Sequence, residues 1–217
     1  MTGKQQLINF WLENGIVEDE NIIKAFLQIP RDQFIPPQYR NEAYHDHPLP
    51  TIRNQSISQP TTIMLMLKHI ELKEGHNVFE VGAGAGYQAA LISKIIGHEG
   101  HLVTSEVIPE LVQTARYNLK NLAAQNVKVI EANGGEGLLE KAPYDRIIIT
   151  AACPAMPTPL VEQLKEGGII LAPIGDLDNQ TLVKGTKEKN SLHLEFLGSF
   201  KFVPMKGKQG FHGYSEK

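Results

Sequence analysis

Residues 78–87 read VFEVGAGAGY, a mostly apolar run that leads into three alternating glycines. This pattern predicts a buried strand, a tight turn and then a helix. Because glycine has no side chain, such a turn lets bare backbone approach a ligand at the N-terminus of the helix. The dinucleotide fingerprint G-x-G-x-x-G is not met, since position 87 is tyrosine. The loop therefore suits a nucleoside ligand without clearly matching a pyrophosphate cradle.

A second signal lies 20 positions beyond Gly86, where Glu106 follows the apolar run 101–105. A carboxylate at the end of a second strand can accept hydrogen bonds from ribose hydroxyls. A glycine turn followed by such an acid is the arrangement of S-adenosylmethionine-dependent methyltransferases. We therefore predict that Gly82, Gly84 and Gly86 contact this cofactor and that Glu106, with the adjacent Val107, binds its ribose.

The alternation of apolar runs and helical patterns predicts an α/β fold, a doubly wound, Rossmann-like, mostly parallel sheet with helices on both faces. We expect one methyltransferase domain over 1–217, with a helical and loop extension at 1–60, a cofactor-binding core at 61–180 and a C-terminal antiparallel strand pair and tail at 181–217. Predicted strands are 77–81, 101–105, 127–132, 146–151, 169–174, 181–187 and 192–203, and predicted helices are 60–70, 87–96, one from 109, and 159–164. In the extension, Leu7, Phe10 and Trp11 share one helical face, as do Ile22, Ala25 and Phe26, and Asp19 is a plausible N-cap.

Composition restricts the function classes. The chain has 217 residues, 41% of them hydrophobic, and a net charge of −3, which gives no general attraction to nucleic acid. Cys153 is the single cysteine, so no intrachain disulfide can form, as suits a reducing compartment. The N-terminus does not resemble a signal peptide, and no apolar run reaches the about 20 residues of a membrane helix. We expect a cytoplasmic protein without membrane or nucleic-acid partners.

Two smaller features allow more than one interpretation. His45 and His47 flank Asp46 and could be metal ligands, but no second cluster in the sequence completes a site, so we predict a polar loop and no metal. Ser58 lies two residues before Pro60, where a serine commonly caps a helix, and no G-x-S-x-G segment supports a serine hydrolase.

Five segments resemble the protein-L-isoaspartate O-methyltransferase family, in that family's order along the chain. They are AYHDHPLP at 43–50, QSISQP at 55–60, FEVGAGAGYQAA at 79–90, APYDRIIITAA at 142–152 and FVPM at 202–205. The glycine loop alone would indicate only a class I methyltransferase. The serine segment, the Tyr-Asp-Arg strand and the Phe-Val-Pro tail make the resemblance more specific, and it spans nearly the whole chain.

The resemblance implies an S-adenosylmethionine-dependent carboxyl O-methyltransferase. Such an enzyme methylates the free carboxylate of L-isoaspartyl residues in damaged proteins, which starts repair through a succinimide and leaves S-adenosyl-L-homocysteine. Ser58 would then be the catalytic residue, as a hydrogen-bond partner that orients the acceptor carboxylate. Ile57, Val203 and Pro204 would contact the substrate, and Gln59, Asn133 and Gly134 would contact the cofactor. The partners would be isoaspartyl proteins and peptides, acted on by a monomer.

The chain departs from the family pattern at two places. Asn133 stands where the family usually has an aspartate that accepts from the adenine amino group, so we expect weaker cofactor binding. Residues 51–54 (TIRN) replace glycines, so we expect the loop to follow a different path without positive φ angles. Arg53 would either attract an acidic peptide or be solvated.

Two other functions remain open from the sequence. One is a class I methyltransferase with a different substrate, a small molecule or RNA, although the absence of excess positive charge argues against RNA. The other is a catalytically idle homologue that binds the cofactor.

Overall fold

The computed structural model describes residues 3–189 and 191–211. Its α-helices are α1 (Gly3–Glu13), α2 (Glu20–Gln28), α3 (Pro60–Ile70), α4 (Tyr87–Ile96), α5 (Pro109–Asn121) and α6 (Thr158–Glu162). Its strands are β1 (Leu49–Pro50), β2 (Ser56–Ile57), β3 (Asn77–Val81), β4 (His101–Glu106), β5 (Val127–Glu131), β6 (Tyr144–Ile149), β7 (Leu164–Gly175), β8 (Gln180–Glu188) and β9 (Ser191–Phe200). None of the helices in these described ranges has the length and apolar character required to cross a membrane.

Seven of the strands form one sheet in the order β5-β4-β3-β6-β7-β8-β9. The pairs from β5 to β7 are parallel, whereas β8 pairs antiparallel with both β7 and β9. In chain order, β4 and then β5 lie on one side of β3, and β6 lies on its other side. The predicted mostly parallel, doubly wound sheet with a C-terminal antiparallel pair is therefore confirmed, and the strand order reverses beside β3, where such folds bind ligands.

Alternate residues of the parallel strands supply two hydrophobic clusters, as expected for a sheet that is covered on both faces. Val78, Leu102 and Ile148 belong to the cluster that includes residues of α1 to α5. Phe79 and Ile147 point to the other cluster, which contains Leu160 of α6. The sheet face that carries Phe79 and Ile147 is covered by a shorter helix, because α6 has only 5 residues.

The N-terminal extension packs on the same side as α3 and α4. Trp11 is fully buried, meets the ring of Phe26 edge-on with centroids 4.8 Å apart, and donates from Nε1 to Thr61 Oγ1 at 2.8 Å. The predicted buried face of α2 is confirmed by Ile22, Ala25 and Phe26. Phe10 was assigned to the buried face of α1 but is 44% exposed, because the core contacts of this helix are made by Leu7, Ile8 and Trp11.

Segment 34–60 contains more structure than its proline-rich sequence indicates. Two short 3-10 helices, Arg31–Phe34 and Pro37–Glu42, precede an antiparallel ribbon of β1 and β2. The expectation for the loop between these strands was wrong, because Arg53 and Asn54 adopt φ angles of 55° and 54° without glycine. Left-handed backbone of this kind costs about 1–2 kcal/mol for an ordinary residue.

Several element ends near the C-terminus differ from the prediction. The helix expected at 159–164 is Thr158–Glu162, and the following strand already begins at Leu164. The last strand ends at Phe200 and does not extend to Val203. Its continuation instead turns back to the sheet, where Ala152 N donates to Val203 O and Met205 N donates to Ala152 O, both at 2.8 Å.

The start of α2 gives a direct test of the extension's local stability. The Asp19 carboxylate accepts hydrogen bonds from the backbone nitrogens of Asn21 and Ile22, at 2.7 and 3.2 Å. We expect Asp19→Ala to lower the free energy of unfolding by about 1 kcal/mol, because an N-cap is lost. The control is Glu18→Ala, which changes an exposed neighbour that is not the N-cap. Urea denaturation should give a lower midpoint for Asp19→Ala than for Glu18→Ala. Equal midpoints would contradict the N-cap assignment.

Candidate active site

One pocket lies beyond the C-terminal ends of β3, β4, β5 and β6. Its walls come from the segment before α3, the turns after β3, β4, β5 and β6, and the tail after β9. Ten of the residues predicted for the site line it together: Ile57, Ser58, Gly82, Gly84, Glu106, Val107, Asn133, Gly134, Val203 and Pro204. Two predicted cofactor-binding residues, Gly86 and Gln59, lie outside this lining.

The glycine turn is held against the end of β4. The backbone nitrogens of Gly82 and Ala83 both donate to Ser105 O at 2.9 Å. Gly84 has a φ of 53°, and a Cβ at this position would meet no protein atom within 4 Å. The space that such a Cβ would fill belongs to the pocket, so the absence of a side chain leaves room for a ligand.

Gly86, which was predicted to contact the cofactor, packs against α5 in the structure. It precedes α4, and a Cβ there would lie 3.3 Å from Ala115 Cα. The missing side chain therefore lets the start of α4 pack closely against α5. Gly86 affects the pocket by positioning the turn, whereas Gly82 and Gly84 border the pocket directly.

Glu106 is buried and its carboxylate is fixed by three backbone donors. Gly84 N donates to Oε2 at 2.9 Å, and the nitrogens of Val107 and Ile108 donate to Oε1 at 2.8 and 3.0 Å. A carboxylate has about four acceptor positions, so one position on Oε2 remains for a ligand hydroxyl. Glu106 lines the pocket, so its predicted contact with the ribose stays a prediction, and most of its acceptor capacity organises the site itself.

A second acid, Glu80, lies fully buried in β3 beneath the turn. Thr104 Oγ1 donates to its Oε2 at 2.5 Å, while Oε1 and the neighbouring Gln88 Nε2 have no hydrogen-bond partner among the described residues. Burial raises the pKa of Glu80 to about 8, against a smaller lowering by the hydrogen bond from Thr104. Sequence reasoning passed over this residue, although an acid inside an apolar strand was a visible signal.

The segment before α3 forms the opposite wall of the pocket. Ser58 is half-buried in that wall, and it does not cap α3, whose N-cap residue is Gln59. The Gln59 amide donates instead to Asp46 Oδ2 at 3.0 Å, and Asp46 also accepts from Thr61 N and Thr61 Oγ1. Gln59 thus holds the Ser58 segment in place from outside the pocket.

The β1–β2 loop reaches across to the start of α5. Arg53 Nε donates to Glu110 Oε1 at 3.0 Å, and this hydrogen bond lowers the pKa of Glu110. Arg53 is therefore part of an ion pair, which neither of its two predicted roles included. Because both side chains are half exposed, the pair adds little stability but connects the Ser58 side of the pocket to the Glu106 side.

Asn133 and the tail complete the remaining side. Asn133 Oδ1 accepts from Gly135 N at 3.2 Å, which caps a short 3-10 turn. Gly207 packs so close that a Cβ there would overlap the Asn133 amide. Val203 and Pro204 border the pocket, but Val203 O is already used by Ala152, so an incoming peptide strand could not pair with that oxygen without competition.

These features fit S-adenosylmethionine. Gly84 leaves an open cradle, and Glu106 keeps an acceptor position for a hydroxyl. Ile108 and Leu111, which sequence reasoning missed, add apolar surface suited to a flat base. The only advance signal for Ile108 was its place directly before the proline that begins α5.

Comparison with known proteins agrees with this geometry. The family model described as protein-L-isoaspartate(D-aspartate) O-methyltransferase matches residues 2–210. The chain is 42% identical over 190 residues to protein-L-isoaspartate O-methyltransferase 2 of Archaeoglobus fulgidus, which covers 88% of this chain and 87% of that protein. It is 37% identical over 211 residues to the protein-L-isoaspartate O-methyltransferase of Methanospirillum hungatei, covering 97% and 96% of the two chains.

Solved structures give the same result. A protein-L-isoaspartate O-methyltransferase structure superposes with a TM-score of 0.85 at 29% identity, covering 95% of this chain and 67% of that one. A Plasmodium falciparum structure assigned to the same enzyme class, in complex with S-adenosyl-L-homocysteine, has a TM-score of 0.84 at 25% identity and covers 95% of this chain and 99% of that one.

The buried acid gives a pH-dependent prediction. The folded state binds the Glu80 proton more tightly than the unfolded chain, whose pKa is near the usual 4.5, so the free energy of unfolding should fall as the pH rises from there to about 8. Glu80→Gln removes this titration. We expect the stability of the wild type relative to Glu80→Gln to decrease by a few kcal/mol between about pH 5 and about pH 8.5.

Urea denaturation of the cofactor-free proteins at several pH values would measure this. Glu131→Gln, which changes an exposed acid at the end of β5, two strands away from β3 in the same sheet, is the matched control and should follow the wild type. If the free energy of unfolding changes with pH in the same way for the wild type and for Glu80→Gln, then Glu80 does not titrate with a raised pKa.

Proposed function

Since the chain belongs to the protein-L-isoaspartate(D-aspartate) O-methyltransferase family, we propose that Ser58 orients the acceptor carboxylate while Gly82, Gly84 and Glu106 hold the cofactor. The protein is an S-adenosylmethionine-dependent carboxyl O-methyltransferase that methylates L-isoaspartyl residues of damaged proteins and so starts their repair through a succinimide. The observation that carries the residue assignment is that the Ser58 segment and the glycine turn line one pocket.

The chemistry requires little from the protein beyond orientation and exclusion of water. Bound S-adenosylmethionine supplies an electrophilic methyl group on a sulfonium sulfur. The acceptor carboxylate is already ionised near neutral pH, since such groups titrate near about 4, so no general base has to remove a proton. Alignment of oxygen, methyl carbon and sulfur can contribute about 7–11 kcal/mol to lowering the barrier.

Ser58 suits the role of an orienting donor because the residue lines the pocket and its segment is fixed from behind. Asp46 binds both Gln59 and Thr61, the residues that follow Ser58 at the start of α3. Ile57, the residue before Ser58, pairs with Leu49 as part of β2 and lines the same wall. A donated hydrogen bond from Ser58 Oγ would hold one carboxylate oxygen while the other attacks the methyl group.

On the cofactor side, we assign Glu106 to a ribose hydroxyl and Asn133 with Gly134 to the base. The free acceptor position on Glu106 Oε2 supports the first assignment. Asn133 offers an uncharged carbonyl oxygen that already accepts from Gly135 N, so its hydrogen bond to an adenine amino group would be weaker than that of a carboxylate. Val107 lines the wall beside Glu106, and Val203 with Pro204 would contact the substrate.

We further propose that the chain acts as a single-domain monomer in the cytoplasm on protein substrates, without nucleic acid. Four features support this proposal. The extension and the core share one hydrophobic cluster, and β8 and β9 belong to the main sheet. The net charge is −3, and Cys153 is a buried free thiol.

Ser58→Ala tests the orienting role. We expect the rate of methyl transfer to an isoaspartyl peptide to fall by up to about 100-fold, because the carboxylate is less well aligned, with S-adenosylmethionine affinity unchanged. The assay uses labelled S-adenosylmethionine, an isoaspartyl peptide and its aspartyl twin, and counts base-labile methyl ester. Ser199→Ala, in β9 and outside the pocket lining, is the control.

The outcomes separate the alternatives. Transfer to the isoaspartyl peptide alone supports the assigned substrate. Cofactor binding without transfer to either peptide would favour an idle homologue or a different substrate. Unchanged turnover by Ser58→Ala would remove that residue from the mechanism without affecting the assignment of the cofactor pocket.

Gly84→Ala tests the cofactor cradle. The new methyl group would project into the pocket, so we expect weaker S-adenosylmethionine binding by calorimetry, together with a loss of stability of about 1–2 kcal/mol from the positive φ. Gly75→Ala is the matched control, because Gly75 also has a positive φ and open space around it but lies outside the pocket. Equal cofactor affinity in both variants would contradict a cofactor contact at Gly84.

A further inference from the structure

A cluster of three metal-ligating side chains lies on the segment before β1, on the outer side of the Ser58 wall. One ligand atom each from Glu42, His45 and His47 lies within 4.8 Å of the others. Both histidines are exposed and Glu42 is half-buried, so a cation from solution can reach them. The sequence had shown only the His-x-His pair; the third ligand was hidden because Glu42 belongs to the preceding 3-10 helix.

The backbone brings these residues together. Glu42 ends its 3-10 helix, and the chain continues in tight turns in which His45 N donates to Glu42 O and His47 N donates to His45 O, both at 2.9 Å. Three side chains from a six-residue stretch therefore face the same side. The Asp46 side chain between the histidines faces the protein instead, where it binds Gln59 and Thr61.

The orientation of His47 is the second observation. Its Nδ1 lies 3.0 Å from Pro48 O, and in the neutral tautomer with the proton on Nδ1 this contact is a hydrogen bond that leaves the Nε2 lone pair for a metal. Metal-bound histidines commonly donate their other ring N–H to a backbone carbonyl in this way. His47 Nε2 lies 3.4 Å from Glu42 Oε2.

The spacing agrees with a small cation. Zinc–ligand bonds of about 2.1 Å in tetrahedral geometry place neighbouring ligand atoms about 3.4 Å apart. The pair formed by Glu42 and His47 already has this separation. The ligand atom of His45 lies within 4.8 Å of the other two, so this exposed side chain has to move closer to them when the cation binds.

We propose that Glu42, His45 and His47 form a binding site for a divalent transition metal of the zinc type, with water as the fourth ligand. Two imidazoles and one carboxylate are a common zinc ligand set, whereas calcium and magnesium prefer oxygen ligands alone. A bound cation joins the end of the 3-10 helix to residues on both sides of Asp46. It therefore restrains the segment that holds Gln59 and Thr61 behind Ser58.

Calorimetric titration with ZnCl₂ of tag-free protein, first treated with EDTA and dialysed, tests the site. We expect one zinc ion per chain, and at least about tenfold weaker binding by His45→Ala, His47→Ala and Glu42→Gln. His98→Ala is the matched control, because His98 is another exposed histidine beside an acid and lies outside the cluster. It should bind zinc like the wild type.

Thermal melting provides the second measurement, independent of methyl transfer. Zinc should raise the melting temperature of the wild type and of His98→Ala but not of His47→Ala, since a ligand that binds the folded state stabilises it. The absence of binding, or equal binding by all variants, would overturn the proposal and leave an ordinary surface ion pair between Glu42 and His47. Binding without any rise in melting temperature would mean that zinc binds the unfolded chain equally well, and this result would overturn a site built by the fold.

Discussion

The site depends on the anchoring of one carboxylate. Glu106, at the end of β4, accepts hydrogen bonds from Gly84 in the turn after β3 and from Val107 and Ile108 in the turn after β4. These bonds link the two turns that form the cofactor side of the pocket. Because the bonded nitrogens belong to the main chain, the carboxylate fixes the shape of both turns whatever their side chains are.

The opposite wall is held by an equivalent polar anchor in a different part of the chain. Asp46 binds Gln59 and Thr61, and the Thr61 hydroxyl in turn accepts from Trp11 of the N-terminal extension. The extension is thereby connected to the segment that carries Ser58. Trp11, 50 positions before Thr61 in the sequence, therefore contributes to the position of the acceptor wall.

Much of the fold was predictable, because the determinants are local. The strand at 77–81 and the helices at 60–70 and 87–96 have the predicted bounds, since apolar periodicity, Pro60 and the glycine turn act over a few residues. Ends that depend on distant partners were placed wrongly. The C-terminal strand ends at Phe200 because the chain leaves the sheet edge and forms hydrogen bonds with Ala152. No residue near Phe200 in the sequence indicates that contact.

For the site, the sequence by itself determined the chemical types: a glycine turn, an acid 20 positions later, and a serine segment of recognisable family. Only the tertiary structure decided what each residue contacts. In the structure Gly86 and Gln59 lie outside the pocket lining, most of the Glu106 acceptor positions are used by the backbone, and Glu42 lies beside His45 and His47. The physical reason is that residue type and spacing fix what a side chain can do, whereas its partners depend on chain turns and packing between segments far apart in sequence.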